Sequence, residues 1–415
     1  MKNLLSEPLV LPNGVVLANR LSKVAMSEGM SDLDNNSTAR LETLYRRWAV
    51  SGAGLLFTGN IQVDRDHLER PLNIVIDDKS DFSRLARLAE AGKSGGAHFW
   101  AQLSHPGRQV HEALNPSPLA PSAIELEVLR GMGDFAVPRA MTEDDIAKAI
   151  AQFAYAAAQV KNAGFTGVAL HAAHGYLISQ FLSSRVNQRD DRWGGSLGNR
   201  SRFLISVLAA VREAVGAEFP IGIKLNSSDF QRGGFTHAEC IELVKLLNET
   251  SLDLLELSGG SLEQPKVMGI TLQDEGEDTR SASTLAREAY FIGFAGEVRK
   301  VATMPVMVVG GFRTRHVMVE ALENGELDLV GLGRPMLADP DAPRRLLSGE
   351  IESVTRHEDT LDVFHLMPWH SMQMERMGDG LEPDQGLDGS LASQRFVELE
   401  TKNFAALIEH RAKEI

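Results

Sequence analysis

The sequence is poor in cysteine, in positive charge and in long apolar runs, and each shortage excludes something. Cys240 is the single cysteine. It rules out an internal disulfide, a cysteine-ligated iron–sulfur cluster and a zinc site built from four cysteines. It lies in the helical pattern Ala238–Leu243, which reads as a buried structural thiol rather than a nucleophile. No run approaches the roughly 18 apolar residues of a membrane span. The start, Met1–Pro8, has no sustained apolar core of a signal peptide. A cytoplasmic protein without a membrane partner is expected. Lys and Arg total 42 against 56 Asp and Glu, a net charge of −14. That balance argues against nucleic acid or an anionic membrane surface as partner. It leaves room for a local basic pocket around a phosphate. The Gly-rich stretches also fail to form Gly-x-Gly-x-x-Gly after a first strand, so no tightly held Rossmann dinucleotide is expected.

What is present is a rhythm of short apolar runs and longer amphipathic stretches. Candidate strands are Ser22–Met26, Gly54–Thr58, Phe99–Leu103, Gly167–His171, Ile221–Leu225, Leu254–Leu257, Val306–Val309 and Leu329–Leu332. Helical patterns between them cover Thr142–Ala163, Arg200–Val215, His237–Thr250, Ala286–Val301 and Thr314–Glu323. Strand and helix in this alternation predict a parallel sheet. Eight such units suit an α/β fold of the (β/α)8 TIM-barrel type, with an open doubly wound sheet as the alternative. The Pro-rich segment Asn115–Pro121, continuing to Ala140, and the segment Gly259–Arg280 read as insertions over the mouth of the barrel. The barrel is expected over residues 1–355. Residues 356–415 are expected to form a C-terminal helical extension, packed on the barrel or on a neighbouring subunit of a homo-oligomer. The Met spacing of Trp369–Gly380 is helical and ends at Gly378.

The chemistry concentrates in His171-Ala172-Ala173-His174-Gly175-Tyr176, directly after an apolar strand. C-terminal strand ends form the catalytic face of a parallel barrel. Two imidazoles and a phenol arriving there can grip a carbonyl oxygen and supply a proton. His-x-x-His could instead bind zinc, but no downstream strand end offers an obvious third ligand. The loops after the seventh and eighth strands read Val309-Gly310-Gly311-Phe312-Arg313 and Gly331-Leu332-Gly333-Arg334-Pro335. Barrels often hold phosphate there: glycines let backbone N–H groups approach an anion, and Arg334 adds charge. Lys224, a cation within the apolar strand Ile221–Leu225, needs a partner. A buried salt bridge and an anionic ligand both satisfy that need.

The run from His171 to Tyr176, followed by Gln180-Phe181-Leu182, Asn187-Gln188-Arg189-Asp190-Asp191 and Gly194–Phe203, resembles the Old Yellow Enzyme family, the NADH:flavin oxidoreductases. The resemblance extends from about Leu9 to Leu347. It implies bound FMN, NAD(P)H as transient reductant, and a small-molecule enone, nitro or quinone-type substrate. By position, His171 and His174 would hold the substrate oxygen and Tyr176 would donate a proton. After hydride transfer from flavin N5 to the β carbon, that proton would reach the α carbon. Ala25, Met26, Ser27, Asn60, Gln102, His171, Lys224, Gly310, Gly311, Phe312, Gly333 and Arg334 would bind the cofactor. The sequence departs from the family at Ala25, where Pro is usual, at Ser27, where Thr or Cys is usual, and at Lys224, where many members carry Arg. Ser27 can still donate to the flavin. Lys224 keeps the charge without the planar two-pronged contact. The iron–sulfur branches of the family are not matched, given one cysteine. An NADH oxidase, or a quinone or xenobiotic reductase, on the same scaffold is the near alternative. A metal-dependent barrel hydrolase using His171 and His174, or a non-redox barrel holding a phosphorylated ligand, is the distant one.

Overall fold

The computed structural model describes residues 3–127, 133–264 and 291–413. Eight parallel strands close on themselves: β1 Leu21–Lys23, β2 Leu55–Gln62, β3 His98–Ser104, β4 Gly167–Ala172, β5 Ile221–Asn226, β6 Leu254–Ser258, β7 Val306–Val309 and β8 Leu329–Leu332. Each pairs with its sequence neighbour, and β8 returns to β1 through Val330↔Leu21 and Gly331↔Ser22. This is the (β/α)8 barrel expected from the alternation. Helices α1 Ala39–Ala49, α2 Phe82–Lys93, α3 Glu143–Asn162, α4 Arg202–Val215, α5 His237–Leu247, α6 Ile292–Val301, α7 Arg315–Glu323 and α8 Ala342–Ser348 follow the strands in turn.

Local chemistry sets the helix limits. Thr142 caps α3 in a box with Asp145: the Thr142 hydroxyl accepts from the Asp145 N–H while the Asp145 carboxylate accepts from the Thr142 N–H. Ile146, Ala149, Phe153, Ala156, Ala157 and Val160 then form one buried stripe at helical spacing. Thr236 and Glu239 make the same box for α5. That helix stops at Leu247, short of the expected Thr250: Asn248 keeps helical dihedrals at the cap while its side chain donates to the Val301 carbonyl, and the next N–H groups, of Glu249 and Thr250, bond only three residues back. The first strand is also shorter than expected. Beyond Lys23 the chain leaves the ladder, and Ala25, Met26 and Ser27 lie in the loop. The expected helix start at Ala286, and most of the expected insertion Gly259–Arg280, fall outside the described residues.

Inward-facing residues decide where a site can lie. Leu55, Phe57, Trp100, Ala169, Leu254, Met307, Val309 and Leu329 fill the lower barrel, and Leu9, Leu11 and Leu17 of an antiparallel N-terminal hairpin plug its base. Trp100 is central. A Cβ on Gly167 would sit 2.4 Å from its Nε1, and one on Gly222 would sit 3.0 Å from its Cζ3. The indole thus occupies the space that side chains at those two glycines would take. The lower half is solid, so any cavity must open above it, at the C-terminal strand ends.

Two further helices follow the barrel, α9 Leu366–Gly378 and α10 Gly389–Ala412. Helix α9 lies against α1, where Arg40 grips Glu375 at 2.8 Å and Asp379 at 2.7 Å. Helix α10 is anchored by Glu400, which pairs with Arg70 at 2.9 Å. Among the described residues, no helix is long and apolar enough to cross a membrane.

Candidate active site

A cavity of about 450 Å³ opens above the packed barrel floor. Ala25, Met26 and Ser27 line it from the loop after β1, His174 and Tyr176 from the end of β4, and Lys224 from β5. Gly310 and Gly311 after β7, and Gly333 and Arg334 after β8, extend it to one side. Phe135 and Leu262 border it from the two insertions, and Met367, His370, Ser371 and Met374 from α9. Asn60, Gln102, His171 and Phe312 are buried and do not line it. Gln102 donates through Nε2 to Asn60 Oδ1 at 2.7 Å, and Phe312 is packed into the hydrophobic core.

The histidine–tyrosine group is held rigidly. His174 has φ +61°, a left-handed conformation that costs a non-glycine residue roughly 1–3 kcal/mol. Cross-links offset that cost. The His174 N–H donates to Asn226 Oδ1 at 3.2 Å, and its carbonyl accepts from Gln109 Nε2 at 2.9 Å. The His174 Nε2 meets the Ser258 hydroxyl at 2.7 Å. The kink turns the chain so that the His171 ring stands edge-on to both His174 (centroids 5.1 Å apart) and Tyr176 (4.7 Å). The Ala173 N–H donates to His171 Nδ1 at 3.4 Å, which leaves the ring proton on Nε2.

Burial, and then the nearby Lys224 charge, hold His174 well below the ordinary histidine range. His171 is lowered by burial, by His174 and by Lys224. Burial and the Glu69 carboxylate push the Tyr176 phenol well above its ordinary value. At neutral pH the site therefore offers neutral imidazoles and an intact phenol, all able to donate hydrogen bonds without carrying charge.

Sequence reasoning missed several neighbours. Glu69 receives the Ser27 hydroxyl and, at 2.5 Å, the Asn60 amide. Arg70 donates to the Ser27 carbonyl at 3.0 Å while held by Glu400. Lys224 Nζ lies 2.8 Å from Glu256 Oε1 inside the barrel, so its buried partner is a carboxylate. Arg313 pairs with Glu358 near the phosphate-type loops. His370 is pushed down to about 4 by burial and by the Arg334 charge.

One buried cluster outside the cavity has metal-like spacing: Asp64, His67 and His105. Its hydrogen bonds favour another reading. The Leu119 N–H donates to His67 Nε2 at 3.1 Å, and the Gly107 N–H donates to His105 Nδ1 at 3.0 Å. Both remaining ring nitrogens must then carry protons, and both face Asp64 Oδ2, at 3.1 and 3.7 Å. A carboxylate between two N–H groups needs no metal. Burial raises the Asp64 carboxyl, but the two histidines outweigh it and hold the group far below the ordinary range.

The site fits a flat, phosphate-bearing cofactor. Gly310 and Gly311 have φ +111° and +91°, and Arg334 pairs with no carboxylate among the described residues. A Cβ on Gly333 would come 3.3 Å from Val24 Cγ2. The Gln102 Oε1 is buried without a donor, so an acceptor waits just beneath the cavity.

Comparison with known proteins agrees with this geometry. Residues 5–352 match the NADH:flavin oxidoreductase / NADH oxidase family. The NADH-dependent flavin oxidoreductase nadA of Aspergillus parasiticus is 36% identical over 380 residues, covering 88% of this chain and 83% of nadA. The NADH-dependent flavin oxidoreductase iliE of Neonectria sp. is 35% identical over 355 residues, and there the match takes in 81% of this chain but only 46% of the relative. The chain therefore spans about half the length of some curated relatives and most of others. The old yellow enzyme homologue from Zymomonas mobilis superposes with a TM-score of 0.72 at 25% identity, covering 85% of this chain and 94% of that one. With a parallel barrel, a glycine- and arginine-lined cavity at its C-terminal rim and these matches, the chain belongs to the NADH:flavin oxidoreductase / NADH oxidase family, old yellow enzyme homologues that work with FMN and NAD(P)H.

Proposed function

We propose that the protein reduces the activated C=C bond of α,β-unsaturated carbonyl or nitro compounds, with His171 and His174 as oxygen-binding donors and Tyr176 as proton donor. The observation that carries this reading is the pairing of the neutral His174 imidazole with the intact Tyr176 phenol on the wall of a cavity that also holds Arg334, with the His171 ring buried edge-on to both. FMN, when bound, supplies the two-electron chemistry that links NAD(P)H to the acceptor. The chain does the rest. Arg334 and the backbone at Gly310, Gly311 and Gly333 hold a phosphate. The Ser27 hydroxyl on the cavity wall and the unpartnered Gln102 Oε1 are the groups left for a ring edge, with Asn60 holding Gln102 in place. His171 Nε2–H and the His174 ring donate to the acceptor's oxygen, drawing electron density from the double bond. Tyr176 keeps its proton until a carbon base arrives beside it, because burial and Glu69 disfavour the phenolate. Met26, Phe135, Met367 and Met374 surround the acceptor and exclude water. Residues 356–415 serve in this reading as an extension that roofs the barrel.

The metal-hydrolase alternative is disfavoured by the hydrogen bonds already in place. His171 Nδ1 accepts from Ala173, so Nε2 carries the proton and the ring has no lone pair free for a metal. The test is rapid kinetics on Tyr176→Phe. Flavin reduction by NADH should stay within about twofold of wild type. Reoxidation by cyclohex-2-enone should slow by roughly 10²-fold or more, the scale of general-acid catalysis. Equal slowing of both halves, or a colourless preparation that does not take up FMN, would defeat the proposal.

A further inference from the structure

Three neighbouring strands place His171, Lys224 and Glu256 in one row. The parallel register pairs His171 with Lys224 across β4 and β5, and Lys224 with Glu256 across β5 and β6. Alternation along the strands turns all three side chains into the barrel, above Trp100. Lys224 lines the cavity and Glu256 does not. Glu256 is 2% exposed and Lys224 4%. Neither Glu256 oxygen has an aligned hydrogen-bond donor, so the ammonium 2.8 Å away is the charge that keeps this carboxylate buried.

Such a pair is costly to bury, and a well-packed apolar pair of similar size would hold the barrel as well or better. Its chemistry must be sought in the cavity. A lone ammonium under the cofactor would favour the anionic, reduced state. A carboxylate directly behind it cancels much of that field. We propose that Glu256 is a positioning and charge-balancing residue for the redox step: it attenuates the Lys224 charge felt by the cofactor and so sets the flavin's potential lower than Lys224 alone would. The proposal rests on FMN lying over Lys224. FMN occupancy is read separately, from the visible absorbance of each purified variant.

Sulfite provides a readout independent of turnover. Its sulfur lone pair adds to flavin N5, and the negative charge comes to rest on the N1–C2=O edge, so its affinity reports positive charge there. In the FMN-loaded protein at neutral pH, Glu256→Gln should bind sulfite at least tenfold more tightly than wild type. For a two-electron couple that factor corresponds to a rise of about 30 mV. An unchanged or weaker sulfite affinity would overturn the idea. Glu256→Gln leaves an ammonium buried without its partner, so the combined variant Lys224→Met/Glu256→Leu keeps the test decisive should the single variant fail to fold. If the pair is balanced, the combined variant binds sulfite less than threefold more weakly than wild type. A loss of threefold or more would overturn the balance of the pair, because it would show that Lys224 outweighs Glu256 at the cofactor.

Discussion

Acid should weaken this protein in a way that one histidine makes measurable. His105 is buried beside His67, and its Nδ1 already accepts the Gly107 N–H. Burial, and then the neighbouring His67, push its pKa down to about 4, against 6.5 for a free histidine. The folded-state value lies below the unfolded one, so the unfolded chain binds the extra proton. The stability tied to neutral His105 is complete above about pH 6.5 and is lost as the pH falls towards 4. From those two values, His105 alone should remove about 2 kcal/mol between pH 7 and pH 5, and about 3 kcal/mol in full. His370, also lowered to about 4, acts in the same direction. Asp229 opposes them. Burial raises its carboxyl to about 6, so it returns about 1 kcal/mol over the same interval. His105→Asn isolates the contribution, because its amide oxygen can still accept from Gly107 while nothing titrates. Urea denaturation of both proteins at pH 7 and pH 5, with FMN at one fixed excess, cancels His370 and Asp229 in the double difference. The variant should lose about 2 kcal/mol less than wild type over that interval. Equal losses would refute the assignment of a neutral, acid-sensitive His105.

Two other perturbations test the barrel itself. Lys23 is fully buried between β1 and α1, donating to the Phe57 carbonyl at 2.8 Å and lying 4.1 Å from the Trp48 ring centre; burial lowers its pKa to about 7. Removing that desolvated ammonium with Lys23→Met should stabilise the fold by about 2 kcal/mol after allowing for the lost hydrogen bond, seen as a higher melting temperature at pH 7; a lower one would show that the ammonium is stabilising. Gly167→Ala drives a methyl group to 2.4 Å from Trp100 Nε1 and should cost roughly 1–3 kcal/mol in chemical denaturation. A neutral result would mean that the indole can shift.

The barrel was legible because each strand is a short apolar run bounded by a turn, and because Thr142 begins a helix with an unmistakable cap. The histidine–tyrosine group was legible for a different reason: all three side chains lie within six consecutive residues, and a strand end delivers them together. Glu69, Ser258 and Glu256 were invisible because each matters through a partner far along the chain. Only the register of β5 with β6 reveals that Glu256 answers Lys224, a need the sequence raised but could not resolve. The Asp64–His67–His105 cluster has the same origin, since β3 brings His105 back to the loop after β2. Phe312 shows the reverse limit. Its neighbours in sequence line the cavity, yet its ring packs into the core.

The lid contributed by α9 has a consequence for the order of assembly. Met367, His370, Ser371 and Met374 cover a chamber whose phosphate-side glycines are complete by Gly333, and Glu400 then secures Arg70, which in turn steadies the loop carrying Ser27. During synthesis the seat for a ligand thus precedes its ceiling. A barrel that has captured its ligand early would close around it, whereas one that has finished α9 and α10 first must admit the same ligand past Met367 and Met374.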